Sequence, residues 1–120
     1  MQLQIRTVII RKTLENALKN FLFIALLLPL SGWAADYTIV IKDHKFIPAE
    51  QNIPAETKIK LRVDNQDPTP EEFESYSLNR EKIISGRRKA TIFIGPLAPG
   101  RYEFFGEFNP KTAQGVIIAK

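Results

Sequence analysis

Leu97-Ala98-Pro99-Gly100-Arg101-Tyr102 has the form Leu-x-Pro-Gly-x-Tyr, and it decides the fold. This is the pattern of a tyrosine corner. The ring packs inward while its hydroxyl bonds a backbone group a few residues upstream, which fixes a Greek-key crossing between two sheets. Working outward, Arg101 to Phe105 alternates as a strand, and Lys89 to Gly95 sets Ile92 and Ile94 against Thr91 and Phe93. Thr57 to Asp64 is the clearest case, with Ile59, Leu61 and Val63 separated by Lys60 and Arg62. One apolar and one wet face is the signature of a half-buried strand. Tyr37 to Lys42 and Gly115 to Ala119 read the same way, with weaker runs at Phe46-Ile47, Gln51 to Ile53 and Lys82 to Ile84.

Turn residues punctuate these runs: Pro48, Pro54-Ala55, Asp64 to Pro68, Ser85-Gly86 and Pro99-Gly100. Short strands at such spacing predict an all-β, antiparallel Greek-key sandwich. One exception is expected. Thr69-Pro70-Glu71-Glu72 has the capping-box spacing with Pro at the first helical position, which predicts one or two helical turns near Pro70 to Ser75.

The first third of the chain differs in character. Arg6, Arg11, Lys12 and Lys19 precede the ten-residue apolar run Phe21 to Leu30, and Ser31-Gly32-Trp33-Ala34 follows. A basic stretch, an apolar core and small residues are the three parts of a helical signal peptide, here residues 1–34, with cleavage before Ala35. Ten residues are too few to cross about 30 Å of hydrocarbon, so no permanent membrane span is expected after cleavage. The domain expected over 35–120 retains 13 basic and 12 acidic residues, a net of +1, and this gives no reason to expect nucleic acid as a partner. There is no cysteine, so packing alone must hold an exported domain of this size. Phe73, Phe93, Tyr102, Phe104 and Phe108 are expected in its core; Phe105 and Phe108 are the candidates for an outward docking patch.

Four stretches carry a family likeness: Asp43-His44-Lys45-Phe46-x-Pro48; Asn65-x-Asp67-x-Thr69-Pro70-Glu71-Glu72-Phe73-Glu74-Ser75; Gly95-Pro96-Leu97-x-Pro99-Gly100-x-Tyr102-x-Phe104-Phe105-Gly106-Glu107-Phe108; and Thr112-Ala113-Gln114-Gly115. Together they resemble the EfeO-type cupredoxin-like domain. The resemblance implies a single-domain periplasmic protein of a Gram-negative bacterium, associated with iron uptake through a high-affinity iron permease.

A blue-copper centre needs two imidazoles, a thiolate and usually a thioether. By the resemblance, the thiolate position falls on Gly106, a nearby imidazole position on or near Asn109, and the axial position around Ala113 or Gln114. With no Cys and His44 as the sole His, type 1 copper is excluded. What remains is oxygen-rich. Glu72, Glu74 and Glu107 are expected in loops meeting at one end of the sandwich, with His44 as a further candidate ligand. Carboxylates suit iron, or copper(II) more weakly.

Two functions follow as expectations: an accessory that binds or delivers iron or copper for iron uptake, or a metal-free module docking onto a periplasmic or membrane transport partner. An enzyme is not expected, because His44 alone offers no Ser-His-Asp set and no phosphate-cradling glycine loop is present.

Overall fold

A computed structural model describes residues 35–120. The signal peptide expected over residues 1–34 lies outside the described residues. Nine strands form the domain: β1 Ala35–Lys42, β2 Lys45–Ile47, β3 Glu50–Ile53, β4 Ile59–Asn65, β5 Glu71–Ser75, β6 Arg80–Ile84, β7 Lys89–Ile94, β8 Gly100–Gly106 and β9 Gln114–Ala119. They make two stacked sheets, one of order β2-β1-β4-β7 and the other of order β3-β9-β8-β5-β6. The all-β sandwich is therefore as expected. Most strand pairs are antiparallel, whereas β1 with β4 and β3 with β9 run parallel. β4 comes to lie beside β1 because the chain leaves this sheet for β3 and returns, whereas β9 reaches β3 at the end of the chain, after pairing antiparallel with β8.

The alternation in sequence becomes the two faces of each sheet. Ile39 and Ile41 of β1, Ile59, Leu61 and Val63 of β4, and Ile92 and Ile94 of β7 point inward and are buried. They meet Phe73, Ile84, Phe104 and Ile117 from the opposite sheet. Three aromatic rings tie the layers together. Phe73 stacks on Phe104 with centroids 4.9 Å apart, and Phe46 meets Phe104 edge-on at 4.9 Å. Such pairs add about 0.5–1.5 kcal/mol each beyond their buried area. The tyrosine corner forms as read: Tyr102 Oη donates to the Ala98 carbonyl at 2.8 Å.

Two expectations are corrected. The segment predicted as a helix near Pro70 to Ser75 is strand β5, paired with β6 on one side and β8 on the other. Inward placement of Glu71, Phe73 and Ser75, and the stacking of Phe73 on Phe104, require period-two geometry. Tertiary packing outweighs the local capping signal. Phe93, expected in the core, is 63% exposed, because it shares the outer face of β7 with Lys89 and Thr91. Phe108 follows β8 and is likewise largely exposed.

Candidate metal-binding site

The outer face of β5 carries Glu72 and Glu74, and the β5–β6 hairpin sets Glu74 directly across from Glu81. The four residues Tyr76 to Asn79 make the turn that fixes this register. One carboxylate oxygen from each of Glu72, Glu74 and Glu81 lies within 4.8 Å of the others. Glu107, just past β8, sits across from Glu72 on the other side, and its amide donates to the Glu72 carbonyl at 2.9 Å. Of the expected Glu72, Glu74 and Glu107, the first two converge with Glu81 and Glu107 lies beside them, on a sheet face rather than in end loops, because the predicted helix is a strand. Glu81 is the member that sequence reasoning missed; the spacing of a four-residue turn from Glu74 would have revealed it once β5 was read as a strand.

Crowded like charges show in the chemistry of this face. The Glu72 carboxyl is pushed up to about 7 by a hydrogen bond with Glu81, by burial, and by the charges of Glu81, Glu74 and Glu107. Glu74 is raised as well, by burial and by Glu81 and Glu107. Three close oxygens of this type form a hard-donor set that fits iron and takes copper(II) weakly.

His44 stands elsewhere in the site map. It occupies the β1–β2 turn at φ 57°, with Asp43 before it at φ 53°. Asp67 holds this turn by accepting from the Asp43 amide at 2.8 Å and the His44 amide at 3.0 Å. The His44 Nδ1 is 3.7 Å from Asp67 Oδ2. Burial works against the Asp67 charge, but these amide hydrogen bonds, with His44 and Arg87 nearby, hold its carboxyl below the ordinary aspartate range. The contacts of His44 are those of a turn rather than of the carboxylate group.

The pole of the sandwich where the resemblance would place copper is filled by a side chain. Glu71, 1% exposed, points inward there. Its Oε1 accepts from the Glu72 amide at 3.0 Å and the Phe108 amide at 2.9 Å, and its Oε2 accepts from Asn109 Nδ2 at 2.7 Å. A Cβ on Gly106 would stand 2.6 Å from Ala113 Cβ and 2.7 Å from Glu71 Cδ, so the position has no room for any side chain. The residues present do not fit a type 1 centre: sulfur is absent, and a carboxylate network occupies its place.

The sequence pattern of the cupredoxin-like domain family matches residues 20–119. The chain belongs to this family. An uncharacterized protein, RP394, of Rickettsia prowazekii (strain Madrid E) is 52% identical over 80 residues, which are 67% of this chain and 64% of that protein. Among solved structures, this cupredoxin-like domain is similar to auracyanin A, a "blue" copper protein of Chloroflexus aurantiacus, with TM-score 0.64 and 12% identity over 73% of this chain and all of that one. It is also similar to the metal-binding domain of the Streptococcus pneumoniae D39 Cu(I)-exporting ATPase CopA, with TM-score 0.63 and 16% identity over 71% of this chain and 84% of that one. Amicyanin of Paracoccus versutus gives TM-score 0.57 and 16% identity over 78% and 85%. At these identities the likeness concerns the fold.

Proposed function

We propose that this cupredoxin-like protein is an exported, periplasmic accessory that binds iron, or copper(II) more weakly, as cargo and delivers it to a high-affinity iron uptake system, as in the EfeO-type branch of the family. The observation that carries this reading is the convergence of Glu72, Glu74 and Glu81 oxygens within 4.8 Å. Each would supply one ligand oxygen, with Glu107 adding negative charge beside them. Structural neighbours of the fold are described as a copper protein, auracyanin A, and as a metal-binding domain with Cu(I), that of CopA, which supports a metal-related role. The same reading makes the protein a carrier rather than an enzyme.

Calorimetric titration of the purified protein with Fe(II), Fe(III) and Cu(II) tests it. A site of few carboxylates is expected to bind more tightly than about 0.1 mM, and Glu74→Gln with Glu81→Gln to weaken binding at least about tenfold, the loss of two charged ligands. Binding that ignores both substitutions refutes the assignment.

A second reading, docking onto a periplasmic or membrane transport partner, is favoured by Tyr76, which is 78% exposed and packs its ring against Phe105 at 5.6 Å. Co-purification with an iron permease from membranes tests that reading, and a protein recovered alone in the presence of the permease ends it.

A further inference from the structure

Charge is segregated between the two outer faces of the sandwich. The register of the five-stranded sheet lays Glu50 of β3, Glu103 of β8, Glu72 and Glu74 of β5 and Glu81 of β6 on one surface, with Arg101 of β8 as the base among them. The four-stranded sheet turns Lys42, Lys45, Lys60, Arg62 and Lys89 outward, with Asp36 and Asp64 as the acids among them. A nearly neutral domain thus has one strongly acidic face and one basic face.

The acidic face is not flat. A groove of about 560 Å³ runs over β3, β9 and β8, with Phe105 and Val116 on its floor, Pro110 at one side, and Glu50 and Glu103 along it. Val116 is opposite Glu50 on one neighbouring strand and opposite Glu103 on the other, so the two glutamates flank an apolar centre. Their backbones are about 10 Å apart, the width of two strand spacings. Among the described residues the one close pairing of opposite charges is His44 with Asp67, so neither glutamate is ion-paired, although Arg101 shares the outer face of β8 with Glu103. No element among the described residues covers this face.

We propose that this groove is a docking surface for a partner protein segment that presents a lysine or arginine on an apolar surround. The aliphatic stem would lie along Val116 and Phe105 while the charged head reaches Glu50 or Glu103, the arrangement by which long basic side chains bury their stems and keep their charge solvated or paired. Opposed charge also speeds encounter and excludes acidic partners. A second copy of this chain offers basic residues too, but joining one sheet face to the other is a head-to-tail contact that does not close and would grow filaments. The partner is therefore a different protein. This inference rests on the docking reading above and names its surface; it is independent of the metal reading, because Glu50 and Glu103 lie outside the Glu72, Glu74 and Glu81 group.

The test uses the ¹⁵N-labelled full chain, a synthetic peptide alternating lysine and leucine, and polylysine as the purely electrostatic probe, all at physiological salt. Amide shifts are expected at Glu103, Phe105 and Val116 with the lysine–leucine peptide. Glu50→Gln with Glu103→Gln should weaken that binding at least tenfold, Phe105→Ser should weaken it comparably, and both variants should keep the wild-type circular dichroism and metal titration. Shifts confined to the four-stranded face, polylysine binding as well as the mixed peptide, or indifference to both variants overturns the proposal. Concentration-dependent polymers of the wild type in sedimentation, abolished by salt, would make a second copy the occupant and overturn it as well. If co-purification with a transport partner persists in Glu50→Gln with Glu103→Gln, the docking reading stands and this surface is wrong.

Discussion

Replacing Glu71 by alanine should come close to unfolding the domain, although the residue is a carboxylate in a position that sequence alone would leave on the surface. Its two oxygens satisfy the Glu72 and Phe108 amides and the Asn109 side chain at 2.7–3.0 Å. Truncation leaves the buried Glu72 amide, the part-buried Phe108 amide and the part-buried Asn109 amide group without this acceptor, at about 1 kcal/mol each, the lower end of the usual range. The vacated space beside Gly106 and Ala113 adds a packing loss, for a total of about 3–5 kcal/mol. A domain of this size has about 4–13 kcal/mol of stability in all. Loss of a third or more should lower the melting temperature by about 15–30 °C. Glu71→Gln separates the network from the charge. Its carbonyl still accepts from Phe108, and a rotated Asn109 amide can offer its oxygen to the new NH₂ group, so the cost should be only about 1–2 kcal/mol. Urea denaturation followed by circular dichroism reads both. If Glu71→Ala costs less than about 1 kcal/mol, or Glu71→Gln costs as much as Glu71→Ala, the network is not what holds this pole.

Three further outcomes are expected. Glu72 has a folded pKa near 7 against an ordinary 4.5, so the unfolded chain releases its proton first. Stability should therefore be fully present below pH 4.5, fall as pH rises from there to about 7, and level off above, while Glu81→Gln flattens this slope; stability that rises across the window refutes the crowding argument. Cation affinity should move the opposite way, strengthening up to about pH 7 as the competing proton leaves, which titrations at pH 5.5 and 7.5 would show. Gly106→Ala should destabilise by about 1–3 kcal/mol through overpacking against Glu71 and Ala113, and Gly106→Cys should give no blue colour with copper; a well-folded, coloured Cys variant would contradict the filled pole.

The strands were legible because their chemistry is local. Ile59, Leu61 and Val63 against Lys60 and Arg62 can be read without knowing any partner, and the Leu97 to Tyr102 motif carries its own hydrogen bond. Strand β5 was not legible for the opposite reason. Its glutamates favour helix, and the reason for extension is a stack against Phe104, thirty-one positions away in sequence. That single misreading hid two members of the chemistry: Glu81, placed by the hairpin register, and Glu71, whose burial depends on donors from Phe108 and Asn109. Parallel pairing of β1 with β4 was equally beyond local reading, since it depends on which sheet the intervening strand joins.

Small metalloproteins often collapse when a chelator strips their ion, because the ligands that converge on the ion then repel one another or lose their tether. Here the corresponding pole is clamped by the Glu71 carboxylate, which is part of the polypeptide and cannot be extracted. Were a cation carried on Glu72, Glu74 and Glu81 as proposed, its removal would leave the Glu71 bonds to the Phe108 amide and the Asn109 side chain in place. A carrier of the proposed kind would therefore keep its shape through loading and release, so scarcity in its surroundings would silence it without destroying it.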